Sequence, residues 1–189
     1  MRPIRFEPGD YAEMLGLYLG DGYILPIGRS LRLRFSLDAR YPLIVAETTT
    51  LLSRLFPTNR VGEAHRDDGH TRIVSVDHNH LACLLPQHGP GKKHGRRIRL
   101  EPWQQATVAG APWRFLRGCI RSDGCVFVNR TGRYEYLSYD FSNRSSDILD
   151  LFVGACDHVG VDCRRYERHV RIYRRPSVAA LLEHVGLKA

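Results

Sequence analysis

The feature that most limits what this chain can fold into is an internal repeat. Met14-Leu-Gly-Leu-Tyr-Leu-Gly-Asp21-Gly22 returns 102 positions later as Leu116-Arg-Gly-Cys-Ile-Arg-Ser-Asp123-Gly124. Gly16 aligns with Gly118, Gly20 with Ser122 and Asp21 with Asp123. The small residues recur four apart, which places them on one face of a helix. Glycine inside a helix costs about 1 kcal/mol relative to alanine. The same cost at the same place twice implies a geometric requirement, namely two helices whose backbones approach closely; the steric rule is best known from membrane helices. A chain of 189 residues therefore reads as two like halves.

The residues after each segment repeat in kind. In the first half, Asp10 reads as a helix N-cap with Glu13 as its capping-box partner, and the helix runs to about Gly20. Gly22 to Pro26 and the strictly alternating Leu31 to Leu37 form strands around a turn at Ile27-Gly-Arg-Ser30. Tyr41 to Phe56 is a helix with Pro42 in its first turn, Val61–Arg66 and Arg72–Asp77 a hairpin, and His80–Leu85 a short helix. In the second half the same order gives a helix from Pro112 to about Ser122 and a hairpin of Gly124–Asn129 with Tyr134–Ser142. A helix over Ser145–Val159, strands over Val161–Tyr166 and Val170–Arg174, and a last helix over Ser177–Val185 complete it. The expected fold class is α+β: two pseudo-symmetric αββαββα repeats, residues 1–86 and 112–189. Residues 87–111 are rich in Gly, Pro and basic side chains and read as a basic linker.

Each repeated helix ends in Asp-Gly. Glycine suits a helix C-terminus, but aspartate does not, because that end already carries partial negative charge. Two such carboxylates on closely packed helices would lie side by side, repel, and leave one holding a proton unless a cation is shared. Oxygen ligands with open positions suit Mg²⁺ or Mn²⁺, and such ions activate water and stabilise a leaving oxygen in phosphodiester hydrolysis.

Charge narrows the partner. Lys and Arg total 28 against 20 acids, a net +8, and only Lys92, Lys93 and Lys188 are lysines. Arginine binds phosphate and guanine through planar, bidentate hydrogen bonds. Alternation sets Arg32, Arg34 and Ser36 opposite the apolar Leu31, Leu33, Phe35 and Leu37. It sets Tyr134, Tyr136 and Ser138 opposite Leu137 and Phe141, and Arg171 and Tyr173 opposite Val170 and Ile172. Arg164, Tyr166 and Arg168 alternate with Cys163 and Arg165, and Arg72 opens its own strand. These twelve outward residues are the candidate DNA contacts, because a β-ribbon so dressed fits a major groove.

No apolar run approaches a membrane span, and the N-terminus Met1–Tyr11 has no hydrophobic signal core. Five scattered cysteines without a CxxC pair argue against a disulfide framework or a zinc ribbon. The expectation is an intracellular, cytoplasmic protein that does not engage membranes. Asp77-His78-Asn79-His80 with Cys83 resembles a fragment of an HNH nuclease, but no asparagine follows before Asn129. Gly89-Pro-Gly91-Lys92-Lys93 lacks the framing residues of a P-loop.

With both signature segments and the repeated element order in hand, the sequence resembles the LAGLIDADG homing endonuclease family, in its compact single-chain form with two repeats. The resemblance covers nearly the whole chain. It implies that the signature helices form the interface between halves and that two antiparallel sheets make a saddle over double-stranded DNA. It also implies a monomer with an internal pseudo-two-fold axis, cutting DNA at a specific sequence with divalent metal. Carried over residue by residue, Asp21 and Asp123 bind metal and cut one strand each, and the carbonyls of Gly20 and Ser122 also contact metal. The family often has a catalytic lysine before a Lys-x-Ile-Pro-like segment between the signatures. Here Ile98 fits that pattern, Arg96 stands in place of the lysine and Arg99 in place of the proline, and Lys93 is the other candidate. Two other readings go with the same fold: a transcription regulator that binds DNA without cutting, and an intron RNA maturase.

Overall fold

The computed structural model describes residues 6–188. Helix α1 (Pro8–Asp21) starts on Glu7, whose carboxylate accepts the Asp10 amide at 2.7 Å, with Pro8 in the first turn. Asp10 is therefore not the cap expected from the sequence. Its carboxylate is gripped by Arg54 at 2.6 and 2.7 Å and by Arg114 at 2.5 Å. The Arg54 hydrogen bond, ahead of the opposing effect of burial, holds it below the usual carboxylate range.

The first repeat continues with strands β1 (Gly22–Ile27) and β2 (Ser30–Asp38), helix α2 (Pro42–Leu55), strands β3 (Val61–His65) and β4 (Thr71–Asp77), and the one-turn helix α3 (Leu81–Leu84). Helix α4 (Pro102–Gly110) follows. The second repeat comprises α5 (Pro112–Asp123), β5 (Gly124–Thr131), β6 (Tyr134–Ser142), α6 (Ser146–His158), β7 (Arg164–Arg165), β8 (His169–Ile172) and α7 (Arg175–His184). The two antiparallel sheets have the same order, β1-β2-β4-β3 and β5-β6-β8-β7. The first hairpin of each repeat closes through a Gly-Arg pair, with Gly28 at φ +54° and Gly132 at φ +60°. Positive φ at the first loop position only is the type II′ turn, which matches the twist of the strands it joins.

Each sheet buries one face under helices. Leu33 and Phe35 of β2 are buried with α1 and α3 against their strand, and Val74 and Val76 of β4 with α2; in the second sheet β6 buries Tyr139 and Phe141 with α5 and α7 against it and β8 buries Val170 and Ile172 with α6, where Phe141 and Phe152 stack at 4.4 Å. Among the described residues no helix covers the opposite faces of the two sheets, which gives the saddle.

Two elements differ from expectation. Residues 87–111 are not featureless: they hold a 3₁₀ turn at Lys93–Gly95 and helix α4, and they bury Ile98, Leu100 and Gln104. Gln104 donates to the Tyr11 hydroxyl at 2.7 Å and exchanges hydrogen bonds with Gln87, so the segment is stitched to α1 by buried amides. Strand β7 is only two residues long, because Cys163 and Tyr166 fall outside its ladder with β8.

Candidate metal centre and nucleic-acid face

Helices α1 and α5 cross at their glycines. A Cβ added at Gly16 would meet the amide nitrogen of Cys119 at 2.8 Å, and one added at Gly118 would meet that of Leu17 at 2.8 Å. Both obstacles are backbone, so neither can move aside. Where the sequence asks for a small residue, the structure places the other helix. At the last turn a Cβ on Gly20 would come within 3.0 Å of Asp123 Oδ2. The crossing thus brings Asp21 and Asp123 together at one end of the helix pair, lining a common cavity of about 540 Å³.

Their electrostatics follow from that placement. Burial, and then repulsion from Asp123, raises the Asp21 carboxyl to about 7. Burial also raises Asp123, opposed by a hydrogen bond from Asn143 Nδ2 to its Oδ2 at 2.7 Å. Two lysines answer this negative charge. Lys93 Nζ donates to the carbonyls of Gly20 at 3.0 Å and Gly22 at 2.6 Å, and also to that of Tyr18. Burial lowers its ammonium to about 8, against the pull of Asp123 and Asp21. Lys188 Nζ donates to the Ser122 carbonyl and is likewise lowered by burial. Each signature helix is capped at its C-terminus by one lysine, as its dipole demands.

Lys188 is the counterpart of Lys93 that no spacing in the sequence betrays. It arrives through the chain after α7, where Arg121 donates to the carbonyl of Leu187 and Tyr139 donates to that of Gly186. A second cavity, of about 610 Å³, lies on its side and is lined by Asp21, Ser122, Lys188, Ser36 and Arg40 among others. Arg96 lines the same cavity as the two aspartates. Its guanidinium donates to the carbonyls of Gly89, Pro90, Gly91 and Gln87 at 2.9 to 3.1 Å, holding the loop that carries Lys93.

The donors assembled at the helix ends are two carboxylates and the carbonyls of Gly20 and Ser122, all oxygen. That set fits a hard cation such as Mg²⁺ or Mn²⁺ and not a zinc site. Among the described residues no group of three or more His, Cys, Asp or Glu forms a metal cluster. Water and substrate oxygens would complete any coordination shell here.

Ion pairs run along α1 and α5 from their N-terminal turns to Arg121, in the last turn of α5. Arg114 reaches Glu13 at 3.0 Å as well as Asp10. Arg117 bridges Glu13 at 3.3 Å and Glu47 at 2.8 Å, and Arg121 meets Glu47 at 3.3 Å. Acids come from the first repeat and arginines from the second, so this belt has no pseudo-symmetry.

Register sorts the twelve expected DNA contacts. Tyr23 pairs with Arg34 and Leu25 with Arg32, so Arg32, Arg34 and Ser36 share the open face of the first sheet with Tyr23, whose ring lies 5.6 Å from the Arg34 guanidinium. Tyr23 is an exposed aromatic that the alternation pattern of β2 alone could not reveal. Arg32 is held to Asp77 by two hydrogen bonds of 2.6 and 2.7 Å. On the second sheet Tyr134, Tyr136, Arg164 and Arg171 lie on the open face, with Arg164 and Arg171 directly paired across β7 and β8. Both arginines reach over the ring of Tyr166. Arg168 and Tyr173 are exposed beyond the ends of the ladder.

Two of the twelve are corrected. Arg72 pairs opposite Leu37 and His65, and the same face of β3 carries Glu63, which accepts from Thr49 of α2. Arg72 is therefore on the helix side of the sheet, because it has the same parity in β4 as the buried Val74 and Val76. Ser138 has the right parity but is fully buried. Arg171, drawn to Asp140 at 3.1 Å and lying over the Phe127 ring opposite Ser138, roofs this part of the strand.

No family model matches the sequence, and no curated protein matches it. Solved structures do. I-DmoI in complex with DNA and Mn aligns with 95% of this chain and 97% of its own, at 15% identity and a TM-score of 0.63. The N-terminal LAGLIDADG domain of DUF199/WhiA aligns with 98% of this chain and 87% of its own, at 15% identity and a TM-score of 0.61. The LAGLIDADG meganuclease I-AabMI bound to uncleaved DNA gives 95%, 83%, 10% and 0.55 in the same order. Two crossed helices flanked by two four-stranded sheets of equal topology are thus the fold that this chain shares, over nearly its full length, with solved LAGLIDADG structures.

Proposed function

We propose that this chain is a monomeric, sequence-specific endonuclease of double-stranded DNA that depends on a divalent metal, Mg²⁺ or Mn²⁺. The observation that carries the reading is the pair of half-buried carboxylates, Asp21 and Asp123, brought together at the crossing of α1 and α5. A protein that only bound a polyanion would gain nothing from crowding two carboxylates at the centre of its basic saddle.

Asp21 and Asp123, with the carbonyls of Gly20 and Ser122, would hold the metal, which supplies an activated water and charge stabilisation at the scissile phosphate. Asn143 fixes the rotamer of Asp123. Lys93 and Lys188 bring positive charge to the two sides of the acid pair, where phosphate oxygens would lie. Arg96 shapes the Lys93 loop and takes no direct part. Arg34, Tyr23, Arg164, Arg171 and Tyr136 on the open sheet faces engage the grooves and backbone on either side. The two faces differ in sequence, so the site they read is asymmetric.

The likeness to the DUF199/WhiA domain, nearly equal to that with I-DmoI, favours a second reading as a DNA-binding regulator that does not cut. The experiment is selection on a randomised duplex library with Mg²⁺, beside the Asp21→Asn/Asp123→Asn double variant. Metal-dependent double-strand cutting by the wild type alone supports the endonuclease. Selective duplex binding without cutting favours the regulator, and preference for folded intron RNA favours a maturase.

A further inference from the structure

Each signature helix presents a carboxylate and free carbonyls at its C-terminus, a concentration of negative charge that requires a cation. In this structure the cations are ammonium groups. Lys93 Nζ sits on the carbonyls of Tyr18, Gly20 and Gly22, and Lys188 Nζ on that of Ser122. The carbonyls of Gly20 and Ser122 are the same oxygens that the metal reading above requires. A divalent ion would bind such oxygens at about 2.0–2.6 Å. Two cations on one carbonyl would stand about 4 Å apart or less, where their repulsion is several kcal/mol even at an effective dielectric of about 20. Ammonium and metal ion therefore exclude each other.

We propose that Lys93 and Lys188 are built-in competitors of the divalent ions, and that loading each metal position expels its lysine from the helix end. The inference rests on reading the acid pair as a metal centre. The two grips are unequal: Lys93 makes three hydrogen bonds to α1 and its C-cap, whereas Lys188 makes one to α5. The position at Ser122 accordingly fills first, and the position at Gly20 fills at higher metal concentration. Once expelled, Lys93 swings on its four-carbon stem within the cavity lined by Asn143 and Arg144. There the charge that opposed the metal holds a phosphate instead.

The test is titration of the metal-free full chain with Mn²⁺ in the absence of DNA, followed by loss of the free-ion electron paramagnetic resonance signal. The wild type shows two classes of site. Lys93→Met tightens the weaker class by at least about tenfold. Lys93→Arg keeps a cation in place and stays close to wild type, and thermal melting checks that each variant is folded. Unchanged or weaker Mn²⁺ binding by folded Lys93→Met overturns the proposal, since it makes the lysine a support of the metal and not its rival. Absence of Mn²⁺ binding in wild type and variants overturns both the proposal and the metal-centre reading. Lysine-tuned Mn²⁺ binding with no cutting of any duplex sustains the proposal and overturns only the nuclease reading.

Discussion

Asn143 donates its side-chain amide to Asp123 at 2.7 Å, and among the described residues no side chain does the same for Asp21. The two halves of the centre are thus unequally organised. A hydrogen bond to a charged acceptor is worth about 1.5–3 kcal/mol. Asn143→Ala is expected to slow cutting of one strand by roughly ten- to a hundredfold while the other strand is cut at nearly the wild-type rate. Nicked plasmid should accumulate ahead of linear product, and strand-specific end labels would identify which strand lags.

The glycines at the crossing give an opposite sign to helix propensity. On propensity alone, glycine to alanine stabilises a helix interior by about 1 kcal/mol. At Gly16 and Gly118 the added Cβ meets backbone of the partner helix at 2.8 Å. Overpacking there is expected to destabilise by at least about 1–3 kcal/mol. Urea unfolding of Gly16→Ala and Gly118→Ala measures it, with an exposed-loop Gly89→Ala, whose nearest neighbour is the Arg96 side chain at 3.6 Å, as the mild comparison.

The buried acid and base predict a stability trough in the metal-free protein. Asp21 keeps its proton to about 7 when folded, whereas an unfolded aspartate loses it near 4. Its contribution is full below about pH 4 and is lost as pH rises to about 7. Lys93 titrates at about 8 when folded and above 10 when unfolded, so its effect reverses and stability returns above about pH 8. Thermal melting in chelator should pass through a minimum between these windows. Asp21→Asn should flatten the acid side of the trough, and Mg²⁺ should fill it.

The proposed DNA contacts lie on the open faces. Arg164→Ala and Arg171→Ala are each expected to reduce the slope of log affinity against log salt by about one when the arginine contacts phosphate. Arg72→Ala, on the helix side of its sheet, should leave the slope unchanged. Duplex binding by fluorescence anisotropy across a salt series separates the two groups.

What could be read from the sequence was whatever is local. The small residues and terminal aspartates of α1 and α5 lie within nine positions, and their spacing declares both the crossing and the acid pair. The alternation of β2 declares which of Arg32 and Leu33 faces out. What could not be read depends on distant chain. Lys188 becomes the mate of Lys93 only because α7 and the segment after it fold back against Tyr139 and Arg121. The face of Arg72, by contrast, was legible locally, because alternation within β4 groups it with the buried Val74 and Val76. Helix α4 does carry a local signal, a capping box of Glu101 and Gln104 with Pro102 in the first turn, which the Gly- and Pro-rich composition of the stretch before it masks. Asp10 and Glu13 imitate a capping box, yet arginines 44 to 104 positions away claim them.

The central claim is that Asp21 and Asp123 act together on DNA through a divalent metal. Its most direct test is single-turnover cutting of a selected duplex, labelled on both strands, by wild type, Asp21→Asn and Asp123→Asn at matched occupancy. The account expects Mg²⁺-dependent cutting by wild type, a loss of about a thousandfold or more in each variant, and retained binding in both. Cutting that persists in the double variant, or a wild type that binds its duplex tightly and leaves it whole at every Mg²⁺ and Mn²⁺ concentration, would contradict it.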